Sequence, residues 1–487
     1  MLFSSTVFLF LFLPAILIAY RLVAKFPRVK NYILLFASLF FYAWGENVYV
    51  LIMIFSIFVN YMTGMYIHKF EDNQGLKKLT LAVGIVLNLL LLGYFKYANF
   101  VVENVNDLML AFGLPVIESK EVHLPIGISF FTFQALSYII DVYKKITPVQ
   151  RNPFNLALYI SLFPQLIAGP IVRYDTVDEQ ITNRSSSIED IANGIRRFII
   201  GLGKKVIIAN PMGEIADIAF STDMGDMTYT IAWIGIVCYS LQIFFDFCGY
   251  SDMAIGLGRI FGFTFPENFN FPYISKNIRE FWRRWHISLS MWLRDYLYIP
   301  LGGNRISEMR TYVNLIIVFL LCGLWHGASW TFIIWGIYHG FFLVIERMKF
   351  GEILKNSYAG IQHFYTIFVF MIGWVFFRSD TFSYGVGYLV SMFNFVGSPE
   401  LTGEVYRAIT NNYNLMALGL GILLSTPIVR WMKEKYILKF QATEGRTIDA
   451  VKTILILLGD FWLMIILLWS IVRVGAGTHN PFIYFRF

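Results

Sequence analysis

Two histidines stand where ordinary packing gives little reason for an imidazole. His326 lies in LLCGLWHGASWTF, between strongly apolar runs and beside Gly323 and Gly327. An ionisable group at membrane depth costs on the order of 3 kcal/mol and is a functional candidate by default. Small neighbours let a backbone or a substrate come close to it. Neutral imidazole accepts a proton, the task of a general base. The competing reading is a histidine hydrogen-bonded to a neighbouring helix. His286 sits in KNIREFWRRWHISLSMWLRDYLYIPLGGNRISEMR (276–310), where seven Lys/Arg and three acids alternate with Trp282, Trp285, Trp292, Tyr296 and Tyr298. Such a stretch reads as a basic, aromatic anchor at the lipid headgroups. That reading leaves His286 unexplained.

Other polar clusters read as structural. FFDFCGYSDMAIGLGRIFGF (244–263) carries Asp246, Tyr250, Ser251 and Asp252 after a full apolar span. It lacks the G-x-S-x-G of a serine nucleophile, and its glycines do not follow a βαβ pattern. It reads as a span end lining a cavity wall, its polar groups paired with backbone and with Arg259. Gln134 and Asp141, in PIGISFFTFQALSYIIDVY, read as polar glue between helices. On one continuous helix His326 and His339 would lie about 220° apart, so they cannot share a face. His123 sits at a segment edge, and His68, His363 and His479 lie in or near loops; all four read as structural or solvated. There is no HExxH and no His/Cys ligand spacing, so no metal is expected. Cys238, Cys248 and Cys322 fall in apolar stretches and read as buried thiols.

The elements that must position these residues are membrane helices. Apolar residues make up 57% of the 487-residue chain and charged ones 15%, against about 45–50% and about 25% in soluble domains. A soluble fold, a disordered chain, a coiled coil and a disulfide scaffold are excluded; an all-α polytopic membrane protein remains. The net charge of +7 fits cytoplasmic loops and contact with anionic membrane lipid, not nucleic acid. The amino-terminal run MLFSSTVFLFLFLPAILIAY has no basic leader and no small-residue cleavage site, so it reads as a retained span. Hydropathy places spans near 4–22, 31–45, 48–67, 79–97, 124–142, 228–247, 311–326, 328–347, 362–378, 413–431 and 451–472. FNLALYISLFPQLIAGPIV (154–172) is broken by Pro164 and Pro170, and 382–397 is short and glycine-rich. Interrupted helices are tolerated at membrane depth only where protein or a cavity covers them. The stretch 187–212 reads as an interfacial amphipathic helix. Arg21, Lys25, Arg28 and Lys30 place the first loop in the cytoplasm, and Lys433, Lys435, Lys439 and Arg446 do the same for the last. Both termini are then extracytoplasmic. The chain reads as one integral-membrane domain, 1–487.

FFTFQALSYIIDVY, FPQLIAGPIVRY, FFDFCGYSDMAIGLGRIFGF, EFWRRWHISLSMWLRDYLYIPLGGNR and GLWHGASWTFIIWGIYHG, in this order, resemble the membrane-bound O-acyltransferase family. The nearest likeness is to its bacterial alginate O-acetyltransferase membrane subunits and their peptidoglycan- and cellulose-acetylating relatives. The likeness is strong over 110–350. It implies a ring of roughly 10–13 transmembrane helices, with re-entrant and interfacial helices, around a tunnel that leads to a buried histidine. It further implies an essential histidine in the GLWHG string, here His326, and a companion in the RRWH string, here His286. The implied donor is a cytoplasmic thioester, acetyl-CoA or similar, with no bound cofactor. The setting would be the bacterial cytoplasmic membrane, and an extracytoplasmic SGNH-hydrolase-like transferase would finish the acetylation of a cell-envelope polysaccharide. In such systems an aromatic carboxyl-terminal motif carries a tyrosine proposed to hold the acyl group. In the tail 479–487 of this chain, that residue is Tyr484.

A thioester is already activated, so the protein must position a hydroxyl and remove its proton. His326 suits the base, His286 suits orienting the thioester or bonding its carbonyl oxygen, and Arg283 and Arg284 suit the donor's phosphates. Rival readings are a D-alanyl-type, lipid or protein acyltransferase of the same family and a polysaccharide export subunit without chemistry.

Overall fold

In lipid a backbone must satisfy its own hydrogen bonds, and this chain does so with helices. The computed structural model describes residues 1–395, 403–432, 434–435, 446–477, 480 and 482–483, and among these there is no strand. A π-helical turn (Phe8–Phe12) leads into α1 (Leu13–Leu22), followed by α2 (Pro27–Glu46), α3 (Val50–Lys69), α4 (Gln74–Ala111) and α5 (Ile128–Tyr143). Three short helices, α6 (Pro153–Ser161), α7 (Phe163–Leu166) and α8 (Tyr174–Thr182), lead to α9 (Ile188–Gly203). A π segment (Lys204–Ala209) joins α9 to α10 (Asn210–Phe220), and α11 (Tyr229–Ile260) follows. The histidine region comprises α12 (Ile278–Arg284), α13 (Ile287–Leu293), α14 (Glu308–His326) and α15 (Trp330–Ile345). Beyond it lie α16 (Lys349–Asn356), α17 (Ala359–Arg378), α18 (Phe382–Phe393), α19 (Gly403–Thr410), α20 (Asn412–Leu424), α21 (Ile428–Met432) and α22 (Arg446–Gly475). Among the described residues, six helical stretches are long and apolar enough to cross a membrane, with five shorter apolar helices beside them.

Several expected spans change length. The run expected at 79–97 is the middle of α4, whose 38 residues extend about 57 Å, beyond a hydrocarbon core of about 30 Å. The run expected at 228–247 continues as α11 to Ile260, so Asp246, Tyr250, Ser251 and Asp252 lie inside a buried helix and not at a span end. Arg259 pairs with Asp190 at 3.2 Å instead of with that cluster. The Pro-broken run at 154–172 does fragment, into α6 and α7.

The stretch 187–212 uses one face of its helix for protein contacts and leaves Ile188, Ile195 and Ile200 exposed. It packs along α11, where Lys205 reaches Asp246 at 2.9 Å and Lys204 reaches Asp252 at 2.7 Å; Arg197 bridges Asp252 and, in the loop after α11, Glu267, while Arg196 pairs with Asp460 of α22 at 3.0 Å. The amphipathic pattern thus serves ion pairing between elements, with Lys205–Asp246 the buried pair among these. The tryptophans of 276–310 are not headgroup anchors. Trp282, Trp285 and Trp292 are buried, Trp282 edge-on to Trp335 and Trp285 tilted against Trp374.

The chain turns at Gly327–Ser329, so α14 and α15 form an antiparallel hairpin, not the continuous helix assumed for His326 and His339. Both rings instead contact Trp335, each with centroids 5.1 Å away. The hairpin closes on Gly323 and Gly336: a Cβ on Gly323 would fall 2.3 Å from Phe332 O. Gly323→Ala should therefore destabilise the protein by about 1–3 kcal/mol, seen as a lower unfolding midpoint in detergent. Gly93→Ala is the control, because its Cβ would meet nothing within 4 Å. Equal midpoints for the two variants would contradict this packing.

Candidate active site

His286 sits at a break. The chain passes from α12 to α13 through this residue in the left-handed region, φ 43° and ψ 55°, a conformation costly for a residue with a Cβ. Asn268 holds it there. The Ile287 N–H donates to Asn268 O at 2.9 Å, while Asn268 Oδ1 accepts from the Ser288 N–H at 3.2 Å and the Ser288 hydroxyl at 2.9 Å. Its Nδ2 donates to Ser251 Oγ on α11 at 3.1 Å.

This network decides a tautomer. A backbone N–H can only donate, so the Asn268 atom facing Ser288 N must be oxygen. His286 Nδ1 faces the same oxygen at 3.1 Å and must therefore carry the hydrogen. In the neutral ring Nε2 is then a hydrogen-bond acceptor. It is buried and no protein group bonds it among the described residues. Phe247 of α11 meets the ring edge-on at 4.6 Å.

His326 is the last residue of α14 and is buried. Trp325, Trp335 and Phe377 surround its ring, with centroids 4.9, 5.1 and 5.1 Å away. Trp325 also faces His286, at 6.1 Å. One indole therefore stands beside both imidazoles, and the structure brings together the two histidines that the sequence singles out.

Each histidine has its own cavity. His286 lines one of about 650 Å³ that runs along α14 from Leu315 to Cys322, with Arg279, Arg283, Arg294 and Arg347 in its wall. His326 lines another, of about 390 Å³, with Trp325, Lys96, Ser129 and His123. Cys322 and His326 are four residues apart, about 6 Å along the helix. One cavity thus lies along the middle of α14 and the other at its carboxyl-terminal end, with the histidine pair between their linings.

The other predicted residues divide. Arg283 lines the His286 cavity, whereas Arg284 turns away to Glu280 at 2.9 Å and to Asn270 O at 3.0 Å. His123, expected to be structural or solvated, lies in the wall of the His326 cavity, 2.9 Å from Glu46. Asp141 accepts from the Tyr296 hydroxyl at 2.7 Å, as helix-joining polar glue. Tyr484 lies outside the described residues, as does His479. Two residues just before Tyr484 are placed: Phe482 packs on Tyr250 at 4.8 Å, and the Ile483 N–H donates to Asp246 Oδ2 at 2.9 Å. Asn480 bonds Ser4 and Asn210, so the two ends of the chain meet on one side of the molecule.

Sequence reasoning missed Asn268, which lies in the aromatic loop PENFNFPY without any motif of its own, and Lys96, a lone cation in LLLLGYFKYANF. The rule that marked His326, an ionisable residue within an apolar run, applies equally to Lys96.

Removing the Asn268 oxygen frees the His286 ring and its tautomer. Asn268→Leu should lower turnover at this site roughly 10–100-fold, the scale seen when an orienting partner of a functional histidine is lost. Ser251→Ala, which leaves that oxygen in place, should cost far less. Similar turnover for the two variants, measured on purified protein, would remove Asn268 from this role.

A profile of the membrane-bound O-acyltransferase family matches residues 145–379, which hold both histidines. The chain is 40% identical to the "Probable alginate O-acetylase" of Azotobacter vinelandii over the whole of both proteins. It is 44% identical to the protein of that name in Pseudomonas aeruginosa, over 88% of this chain and 80% of the relative. With the "Peptidoglycan O-acetyltransferase" of Helicobacter pylori it shares 36% identity, over the whole of this chain and 98% of the relative.

Proposed function

This chain belongs to the membrane-bound O-acyltransferase family and is a multi-pass membrane O-acyltransferase; from that premise we propose that it moves an acetyl group from a cytoplasmic thioester, such as acetyl-CoA, across the membrane for O-acetylation of a cell-envelope polysaccharide. The observation that carries this reading is the pair of separate cavities, one lined by His286 and one by His326, with Trp325 beside both rings. A donor and an acceptor that never share a compartment need such an arrangement. Relatives of similar length that acetylate alginate or peptidoglycan favour acetyl over other acyl groups.

The His286 cavity suits the donor. Its arginines would attract the phosphates of a CoA-like thioester, and its His286 wall would receive the acyl group. Because Asn268 leaves His286 Nε2 an acceptor, orienting the thioester fits this ring better than donating to the carbonyl oxygen. The His326 cavity suits the hydroxyl. The hydroxyl oxygen bonds to the thioester carbonyl carbon as the carbon–sulfur bond breaks. His326 takes the hydroxyl proton and returns it to the departing sulfur, so the thiol leaves neutral.

The acceptor in this reading is Tyr484. Support comes from its neighbours: Phe482 and Ile483 are buried against α11 at Tyr250 and Asp246, one helical step from the Phe247 that packs on His286. The acyl ester then passes to a serine of an SGNH-hydrolase-like partner outside. The arginine-lined cavity opens to the cytoplasm and both termini lie outside, in line with the loop charges.

His326→Ala should lower polymer acetylation by about 10²–10⁴-fold with normal membrane insertion, and His286→Ala should cost less. Retention of more than about a tenth of the activity by His326→Ala, well short of a general base's share, would remove the general-base role. Tyr484→Phe keeps the ring and deletes the nucleophile, so polymer acetylation should vanish while the protein remains folded. Normal acetylation by this variant would make the tail a docking peptide. Cysteines placed at Ser307 and Thr478 should label from opposite faces of the membrane; labelling from one face would invert part of the topology.

A further inference from the structure

A helix that ends leaves its last carbonyl oxygens without N–H partners of its own. In α14 the Gly327 N–H still closes on Gly323 O at 3.2 Å. The next three oxygens belong to Leu324, Trp325 and His326, and the chain leaves the helical path at Gly327. Two consecutive residues of α4 fill all three. The Tyr97 hydroxyl donates to Leu324 O at 2.6 Å. Lys96 Nζ donates to Trp325 O at 2.5 Å and to His326 O at 3.1 Å, and its third bond goes to Ser129 Oγ on α5 at 3.3 Å.

The chemistry of the match is specific. An ammonium carries three N–H donors, and each has an oxygen here. None of the three partners is a carboxylate, so no ion pair holds this nitrogen, and its N–H groups are met instead by carbonyl oxygens at the negative end of a helix dipole. A lysine at membrane depth is costly, and packing alone would be served by methionine or leucine. What the cation does is tie the residue that precedes the turn, His326, to two other helices. Lys96 also lines the cavity that His326 lines.

We propose that Lys96 and Tyr97 form a clamp from α4 that fixes the end of α14, with Lys96 a positioning residue that sets the His326 ring for proton transfer. The inference rests on the reading of His326 as the base. The lysine acts through the backbone oxygens of Trp325 and His326 and takes no part in bond making.

The test is steady-state acetyl transfer by full-length protein in detergent or vesicles, with acetyl-CoA as donor and a peptide of the tail sequence or the polymer as acceptor. Lys96→Met keeps an unbranched apolar stem, one atom shorter, and deletes every N–H donor. Its kcat should fall about 10–100-fold, the scale of a misplacement of about 1 Å, with the donor KM unchanged because the donor cavity is not lined by α4. Lys96→Gln, which retains two donors, should recover part of the loss. Tyr97→Phe deletes a single hydroxyl and folds without difficulty, so it covers the case in which Lys96→Met does not accumulate; it should lower kcat severalfold. Wild-type kcat in both Lys96→Met and Tyr97→Phe overturns the clamp, as does a raised donor KM at constant kcat, which would put Lys96 on the substrate. Losses that follow the unfolding midpoint, with no recovery in Lys96→Gln, also overturn it. His326→Ala in the same assay separates the two readings: if it stays active the base assignment fails, and if it alone is inactive only the clamp fails.

Discussion

Helices that stop inside an apolar protein govern this structure. His326 is the last residue of α14, and His286 is the single left-handed residue between α12 and α13. Each break strands polar backbone groups where no water or lipid can satisfy them. Neighbouring elements must therefore supply partners, and in supplying them they fix the break in space. Asn268 does this for His286, with its carbonyl and its side-chain oxygen together. Lys96 and Tyr97 do it for the end of α14. The imidazoles are thus aimed by satisfied backbone more than by side-chain networks of their own.

The helix α11 connects the rest to these two points. Its residues advance by about 100° each, so Asp246 and Tyr250 share one face while Phe247 and Ser251 share the next. The first face holds Lys205, Phe3 and the tail residues Phe482 and Ile483. The second holds the His286 ring and, through Ser251, Asn268. Both termini and one of the two histidines are thereby registered against a single buried helix.

Much of this was legible in the sequence, and the exceptions have physical causes. Hydropathy identifies a helical membrane protein because apolar runs of spanning length have few alternatives, and the strings around His286 and His326 are distinctive. The ion pairs of the stretch 187–212 were not legible, because alternating cations and apolar residues look alike on a membrane surface and on a helix facing carboxylates. Only Asp246 and Asp252, some fifty residues away in sequence, decide between them. The tryptophans of 276–310 misled in the same way, since their partners Trp335 and Trp374 lie on other helices. Asn268 carries no local signal, because its meaning comes from residues 251, 286 and 288 meeting at one amide. Lys96 did carry a signal, being an ionisable residue in an apolar run.

The asymmetry of the two cavities bears on direction. The His286 side presents four arginines, of which Arg294 is paired with Asp295, and the positive excess suits a polyanionic donor. The His326 side presents Lys96, but its ammonium is already spent on two carbonyls and a hydroxyl, so it offers an anion little. Under the proposed reading, the first chamber would take the donor's phosphates and the second an uncharged group such as an aromatic hydroxyl. Trp325 stands beside both histidines, an apolar plate flanking the path between them. Water reaching that point would compete with the acceptor for the thioester, and excluding it also strengthens the electrostatics of proton transfer. A histidine at the end of a helix, clamped from outside and walled by indoles and a phenylalanine, satisfies both demands with no group beyond those the fold needs to close its own backbone.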